Sequence, residues 1–114
     1  MDKHILFLLK PGFYDGEQGP FFCPHSAALE GLLTYVPEIE SKVDVRRIDF
    51  PRPRQEIIDL LGEDNQLTPV LIVDEIAKSD HQAQVSAATG RSFFLGEIEI
   101  SKFLHRNLGI IKPH

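Results

Sequence analysis

The first apolar run of the chain, Ile5-Leu6-Phe7-Leu8-Leu9, has no polar position on either strand face. A strand that is apolar on both faces is covered on both, so the run predicts an interior strand with helices packed on each side. Residues 11–22 break the pattern with Pro11, Gly12, Gly16, Gly19 and Pro20. So many breakers over so long a connection predict a loop, of the length at which loops carry function. From Pro24 the period becomes that of a helix. Leu29, Leu32, Leu33 and Val36 recur at i, i+3, i+4 and i+7, and Pro37 closes the segment. Val43-Asp44-Val45-Arg46-Arg47-Ile48 alternates only in part and carries charge, as a strand nearer a sheet edge does.

Pro51 and Pro53 then interrupt the chain. Residues 54–61, with Ile57, Ile58, Leu60 and Leu61 turned inward and Gly62 after them, predict a short second helix. Thr68-Pro69 excludes helix and sets an extended entry into a buried strand, Val70-Leu71-Ile72-Val73. Residues 74–91 show no clear period and are expected to be an irregular excursion with at most one short helical turn. Ser92-Phe93-Phe94-Leu95 predicts a fourth strand and Gly96 a turn. Ile100, Phe103, Leu104 and Leu108 then mark a closing amphipathic helix, stopped by Gly109. The strand-helix-strand first half requires a right-handed parallel crossover, and the short junctions of the second half allow antiparallel neighbours. The expected architecture is one α/β domain over residues 1–114, a four-stranded mixed sheet flanked by helices on both faces.

Composition narrows the function classes. With 42% hydrophobic and 25% charged residues the chain has the balance of a soluble globular domain. A net charge of -5 opposes a general role on nucleic acid or anionic membrane, either of which calls for a basic face. The apolar run at 5–9 is too short for a membrane span or a signal-peptide core. A single cysteine cannot form an intrachain disulfide, so the expected location is cytoplasmic.

That cysteine, Cys23, opens the first helix in Cys23-Pro24-His25-Ser26. A sulfur at a helix N-terminus faces unsatisfied N–H groups and the positive end of the dipole, both of which favour thiolate over thiol. Ser26 lies one turn on and is expected to donate its hydroxyl hydrogen to the sulfur, and a protonated His25 would add positive charge. The opposing reading is a buried, inert cysteine. His25 with Cys23, even joined by His4 or His81, falls short of a usual zinc pattern, so no metal is expected. Arg46, Arg47, Arg52 and Arg54 form the one basic cluster of an acidic chain. They suit either an anion site or a plain solvated strand edge. Phe13, Tyr14, Phe21 and Phe22 of the 11–22 loop either cover the thiol as a lid or anchor the loop to the core.

The element order, with Cys23-Pro24-His25-Ser26 on the first helix, Thr68-Pro69 before the third strand and Gly96-Glu97 at the last helix, resembles the thioredoxin superfamily in its compact, glutaredoxin-sized form. The runs Phe21-Phe22-Cys23-Pro24-His25, Asp49-Phe50-Pro51-Arg52-Pro53-Arg54 and Gln66-Leu67-Thr68-Pro69-Val70-Leu71 further resemble a small bacterial family of thioredoxin-like proteins that has no assigned reaction. The resemblance implies a thioredoxin-like fold and a cis peptide bond at Thr68-Pro69. It also implies a substrate groove at Pro24, Thr68, Pro69, Gly96 and Glu97, with Cys23, His25 and Ser26 as the reactive group. Glutathione is then the expected co-substrate, its γ-glutamyl end at Gly96-Glu97, although Ile98 stands where relatives often have a hydroxyl residue. The expected function is a monothiol thiol-disulfide oxidoreductase acting on glutathione or a thiol-bearing protein partner. The alternative is a non-catalytic binding or regulatory module that keeps the shape alone.

Overall fold

A computed structural model describes residues 3–77 and 80–114 of the chain. In chain order the elements are β1 (His4–Leu9), β2 (Phe13–Asp15), β3 (Gln18–Phe21), α1 (Pro24–Tyr35), a 3-10 turn (Pro37–Ser41) and β4 (Val43–Ile48). They continue with α2 (Gln55–Leu61), β5 (Val70–Ile72), β6 (Gln84–Val85), β7 (Ser92–Leu95) and α3 (Glu97–Leu108). β1 is buried along its whole length, as its unbroken apolar pattern requires. It pairs in parallel with β4 and antiparallel with β5. β7 lies antiparallel to β5, with β6 outside it, and the order across the sheet is β4-β1-β5-β7-β6.

The main sheet therefore has five strands rather than the expected four. The added strand, β6, is two residues long and lies in the excursion at 74–91, where no period can show over so short a stretch. That excursion is tied down by hydroxyls. Ser86 donates its Oγ hydrogen to the Leu61 carbonyl at 2.7 Å and Thr89 donates to Leu60 O at 2.8 Å. Both carbonyls belong to the last turn of α2, which has no partners of its own there. The described part of the excursion forms turns and β6, with one helical turn closed by the Gly90 N–H on Ser86 O at 2.8 Å, and Lys78 and Ser79 lie outside the described residues.

Alternate residues of the central strands point to opposite faces, and each face has its own core. Leu6, Leu8, Leu71 and Phe94 pack under α1 and α3, through Leu29, Leu33, Ile100, Phe103 and Leu104. Ile5, Phe7, Val70, Ile72 and Phe93 pack under α2, through Ile57 and Leu61. Helices thus cover both faces.

The expected loop at 11–22 is instead a β-hairpin, with β2 and β3 forming a two-stranded sheet of their own. Asp15 pairs with Gln18 across Gly16 and Glu17, and Gly16 has φ 65°. Gly at the first of two loop positions is a hairpin signal, hidden here because Gly19 and Pro20 sit inside the second strand. Gly19 is required where it is: at φ 144°, an added Cβ would stand 2.8 Å from the Phe13 carbonyl oxygen. The rings do anchor the hairpin, since Phe13 stacks on Phe50 at 4.4 Å between centroids. No helix among the described residues is long and apolar enough to cross a membrane.

Candidate functional site

Cys23 is the N-cap residue of α1, with extended backbone at φ -82° and ψ 115°, and Pro24 follows at the first helical position. Proline fits there because its missing N–H is one the helix leaves unpaired in any case. The Cys23 Sγ accepts the backbone N–H of Ser26 at 3.4 Å, so the sulfur takes the place that a Ser, Thr, Asp or Asn oxygen usually fills. It is half-buried and is the chain's one free cysteine. The expected hydroxyl donation from Ser26 is not what holds the sulfur. Ser26 is 2% exposed, and its Oγ accepts the Leu9 N–H at 3.1 Å, fastening the start of α1 to the end of β1. Its backbone, not its side chain, serves Cys23.

His25 Nδ1 donates to both oxygens of Glu97, at 2.7 and 3.0 Å, which joins the start of α1 to the start of α3. The His25 hydrogen bond, followed by Glu97's own backbone N–H, holds the Glu97 carboxyl below its ordinary range. Gly96, the N-cap residue of α3 at φ 81°, donates its N–H to the Pro69 carbonyl at 3.1 Å. The Thr68-Pro69 peptide bond is cis, as are Gly19-Pro20 and Arg52-Pro53. Arg54 completes the circuit, its Nη1 lying 3.5 Å from Thr68 Oγ1. Cys23, His25, Thr68, Pro69, Gly96 and Glu97, far apart in sequence, therefore lie at one end of the sheet, where all three helices begin.

Arg54 departs from the solvated edge expected for the basic cluster. It is 8% exposed, donates Nε and Nη2 to Phe50 O at 3.0 and 2.7 Å, and donates Nη1 to Gln66 O at 2.7 Å. Its guanidinium also lies over the Phe50 ring, 5.4 Å from the centroid. Burial pulls the group below its usual range and the Arg52 charge pulls the same way, while the Cys23 sulfur pulls it back. The sequence does hold a signal for this residue. A positive side chain at the N-cap of a helix opposes the dipole, and such a choice calls for a specific partner. Arg46 and Arg47 behave as surface residues, paired with Asp44 and Glu56 and with Glu30 and Glu40 respectively.

Beside Cys23 runs an open groove of about 320 Å³, walled by Leu9, Phe13, Phe21, Phe22, Pro24 and Phe50, with Asp15 as its only lining carboxylate. Phe22 is 62% exposed on this wall. Tyr14 of the same hairpin is exposed and is not among the lining residues. A second cleft, of about 430 Å³, is lined by Lys10, Arg47, Pro51, Arg52, Pro53 and Arg54 among others. His4 does not join the site. It is buried, and its Nδ1 accepts the Asp74 N–H. Among the described residues no group of three or more His, Cys, Asp and Glu side chains is placed to hold a metal ion.

The arrangement offers a capped, partly buried sulfur in the wall of an apolar groove. No curated protein and no solved structure matches the chain. A family does: residues 3–112 match the family described as "Protein of unknown function (DUF3088)", and the chain belongs to it.

Proposed function

We propose that this chain is a monothiol thiol-disulfide oxidoreductase of thioredoxin-like architecture, working on a mixed disulfide that contains glutathione. In the first step the Cys23 sulfur bonds to one sulfur of the disulfide, the S–S bond breaks, and the other sulfur leaves as a thiolate. A second thiol, from glutathione or a protein partner, then displaces the first from Cys23 and restores it. One sulfur is enough for this cycle, and the two-cysteine route to an intramolecular disulfide is closed.

The observation that carries the reading is the Cys23 Sγ as cap of α1, receiving the Ser26 N–H, on a partly buried residue that lines an open groove. A donor to sulfur at the positive end of a helix favours the anion, and the anion is the nucleophile. The parallel pair β1 and β4 joined through α1, the antiparallel β5 and β7 and the closing α3 support the thioredoxin-like architecture. By the resemblance, the γ-glutamyl carboxylate of glutathione would meet the N–H groups that follow Gly96. Glu97 would then reach the ligand amine by sharing its carboxylate with His25.

Incubation of the protein with oxidised glutathione at pH 7, followed by intact-mass measurement, tests this. One glutathionyl adduct is expected, formed faster than on the urea-unfolded chain and absent in Cys23→Ser. Adduct formation no faster than on the unfolded chain would remove glutathione from the reading, and the same result with every disulfide tried would sink the enzyme reading and leave the binding module in its place.

A further inference from the structure

Glutathione is polar along its length and would leave the groove's phenylalanine walls wet. A groove of about 320 Å³ stands at the low end of the volumes that hold small molecules, about 300 to 1,000 Å³, and its lining is nearly all carbon. The charges around it are unevenly used. Lys10 pairs with Asp49, Arg46 with Asp44 and Glu56, and Arg47 with Glu30 and Glu40. Arg52 and Arg54 have no carboxylate partner among the described residues: Arg52 is exposed, and Arg54 is buried against neutral oxygens. Arg54 is the cation tied to the aromatic groove, its guanidinium 5.4 Å from the centroid of the groove's Phe50 ring, and Arg52 stands two residues before it in the neighbouring cleft, whose lining also holds Asp49 and Glu56. Asp15 stands on the hairpin side of the groove and repels a second anion there. A ligand with one negative end is thereby oriented toward Arg52.

We infer that the sulfur partner taken up beside Cys23 is a small aromatic thiol bearing a carboxylate, its ring against Phe21, Phe22 and the edges of the stacked Phe13 and Phe50 and its anion at Arg52, with the buried Arg54 adding charge behind it. The inference rests on the thiol-disulfide reading above and names the group that reading leaves open. In the exchange, the Cys23 sulfur bonds to the nearer sulfur of the disulfide, the S–S bond breaks, and the departing thiolate carries the electron pair. No net oxidation occurs, and no further reactant is needed.

Four disulfide probes separate the requirements: dithiobis(nitrobenzoate), aromatic and anionic; dithiodipyridine, aromatic and neutral; oxidised glutathione, anionic without a ring; and cystamine, cationic without a ring. Each second-order rate with native protein is divided by the rate of the same probe with the urea-unfolded chain, which cancels the probe's own reactivity. The ratio is expected to be highest for dithiobis(nitrobenzoate), roughly tenfold or more above oxidised glutathione, with dithiodipyridine between them and cystamine last. Phe22→Ser, at an exposed ring, lowers the ratio for both aromatic probes. Arg52→Ser lowers it only for the carboxylated aromatic one. An oxidised glutathione ratio equal to the aromatic ratios overturns the inference and leaves the enzyme reading standing, and so does indifference to Phe22→Ser. Equal ratios for the two aromatic probes overturn the carboxylate requirement. Ratios of one or below for every probe remove the enzyme reading itself.

Discussion

His4 is 7% exposed, its Nδ1 accepts the Asp74 N–H at 2.9 Å, and its ring meets Phe103 edge-on at 5.0 Å. Burial lowers its affinity for a proton, and the Asp74 carboxylate offsets this only in part. Protonation would also abolish the acceptor that Asp74 N–H uses. The sign follows: the unfolded chain binds a proton as pH falls through about 6.5, the native chain binds it only at lower pH, and stability is lost across that interval. One such group changes stability by at most about 1.4 kcal/mol per pH unit. Urea unfolding at pH 7.5, 6 and 5 should show the decline. His4→Asn keeps an acceptor, loses the ring contact, and should be less stable at pH 7.5 but flatter with pH. An unchanged slope would assign the decline to another group. Ser26 makes a different prediction. Ser26→Ala leaves the Leu9 N–H buried without its acceptor, which costs about 1 to 3 kcal/mol, whereas the donor to Cys23 is backbone and survives. Native-state alkylation of Cys23 should therefore keep its rate while the unfolding midpoint falls.

The helices are the elements most open to reading from sequence, because twelve-residue segments such as α1 and α3 repeat their apolar stripe and carry punctuation at both ends. Pro24 and Gly109 fall at the first and the post-terminal positions where their backbone chemistry is favoured. β1 is legible for the opposite reason: apolar on both faces, it leaves only an interior place. The hairpin and β6 are opaque because they lack the unbroken apolar run that marks the equally short β5 and β7, and β3 carries Gly19 and Pro20 within it. Within the site, Cys23 and Pro24 announce themselves by residue type and position. The His25 to Glu97 contact spans 72 positions and leaves no local pattern, and for Arg54 the sequence signals only an unusual N-cap, since its partners, the carbonyls of Phe50 and Gln66, are set by the fold. One close approach between elements is directly testable. Gly62 ends α2 at φ 85°, and an added Cβ would come 2.7 Å from Ala88 Cβ in the excursion. Gly62→Ala should cost more than about 1 kcal/mol from the backbone conformation alone, with the clash added. Ala88→Gly in the same chain should recover part of the loss and not all of it, as measured by urea midpoint. Complete recovery would mean that the conformation at residue 62 is unstrained.

The two cores share the five-stranded sheet between them, so damage to either should unfold both. Ile57→Ala, under α2, is expected to cost about 2 to 5 kcal/mol, and Phe103→Ala, under α3, about 3 to 5 kcal/mol. Each should shift one cooperative transition monitored alike by far-ultraviolet dichroism and tyrosine fluorescence. Separate transitions for the two faces would contradict a shared sheet. Because Cys23, Arg54 and Gly96 all stand at helix starts joined through the contacts at Thr68, Pro69 and Glu97, the long helices α1 and α3 turn their positive ends to the same pole. Arg52 and Arg54 add full charges to it. A body with net charge -5 should repel an approaching anion, and added salt should then speed the encounter. The polar arrangement reverses that sign for whatever arrives at the thiol: collisions of anionic disulfides with Cys23 should slow as salt shortens the screening length to about 10 Å at 0.1 M. Fold and net charge thus make opposite forecasts for one kinetic slope, and a rate of anionic disulfide with Cys23 that rises with salt would show that the net charge, not the local field, governs the approach.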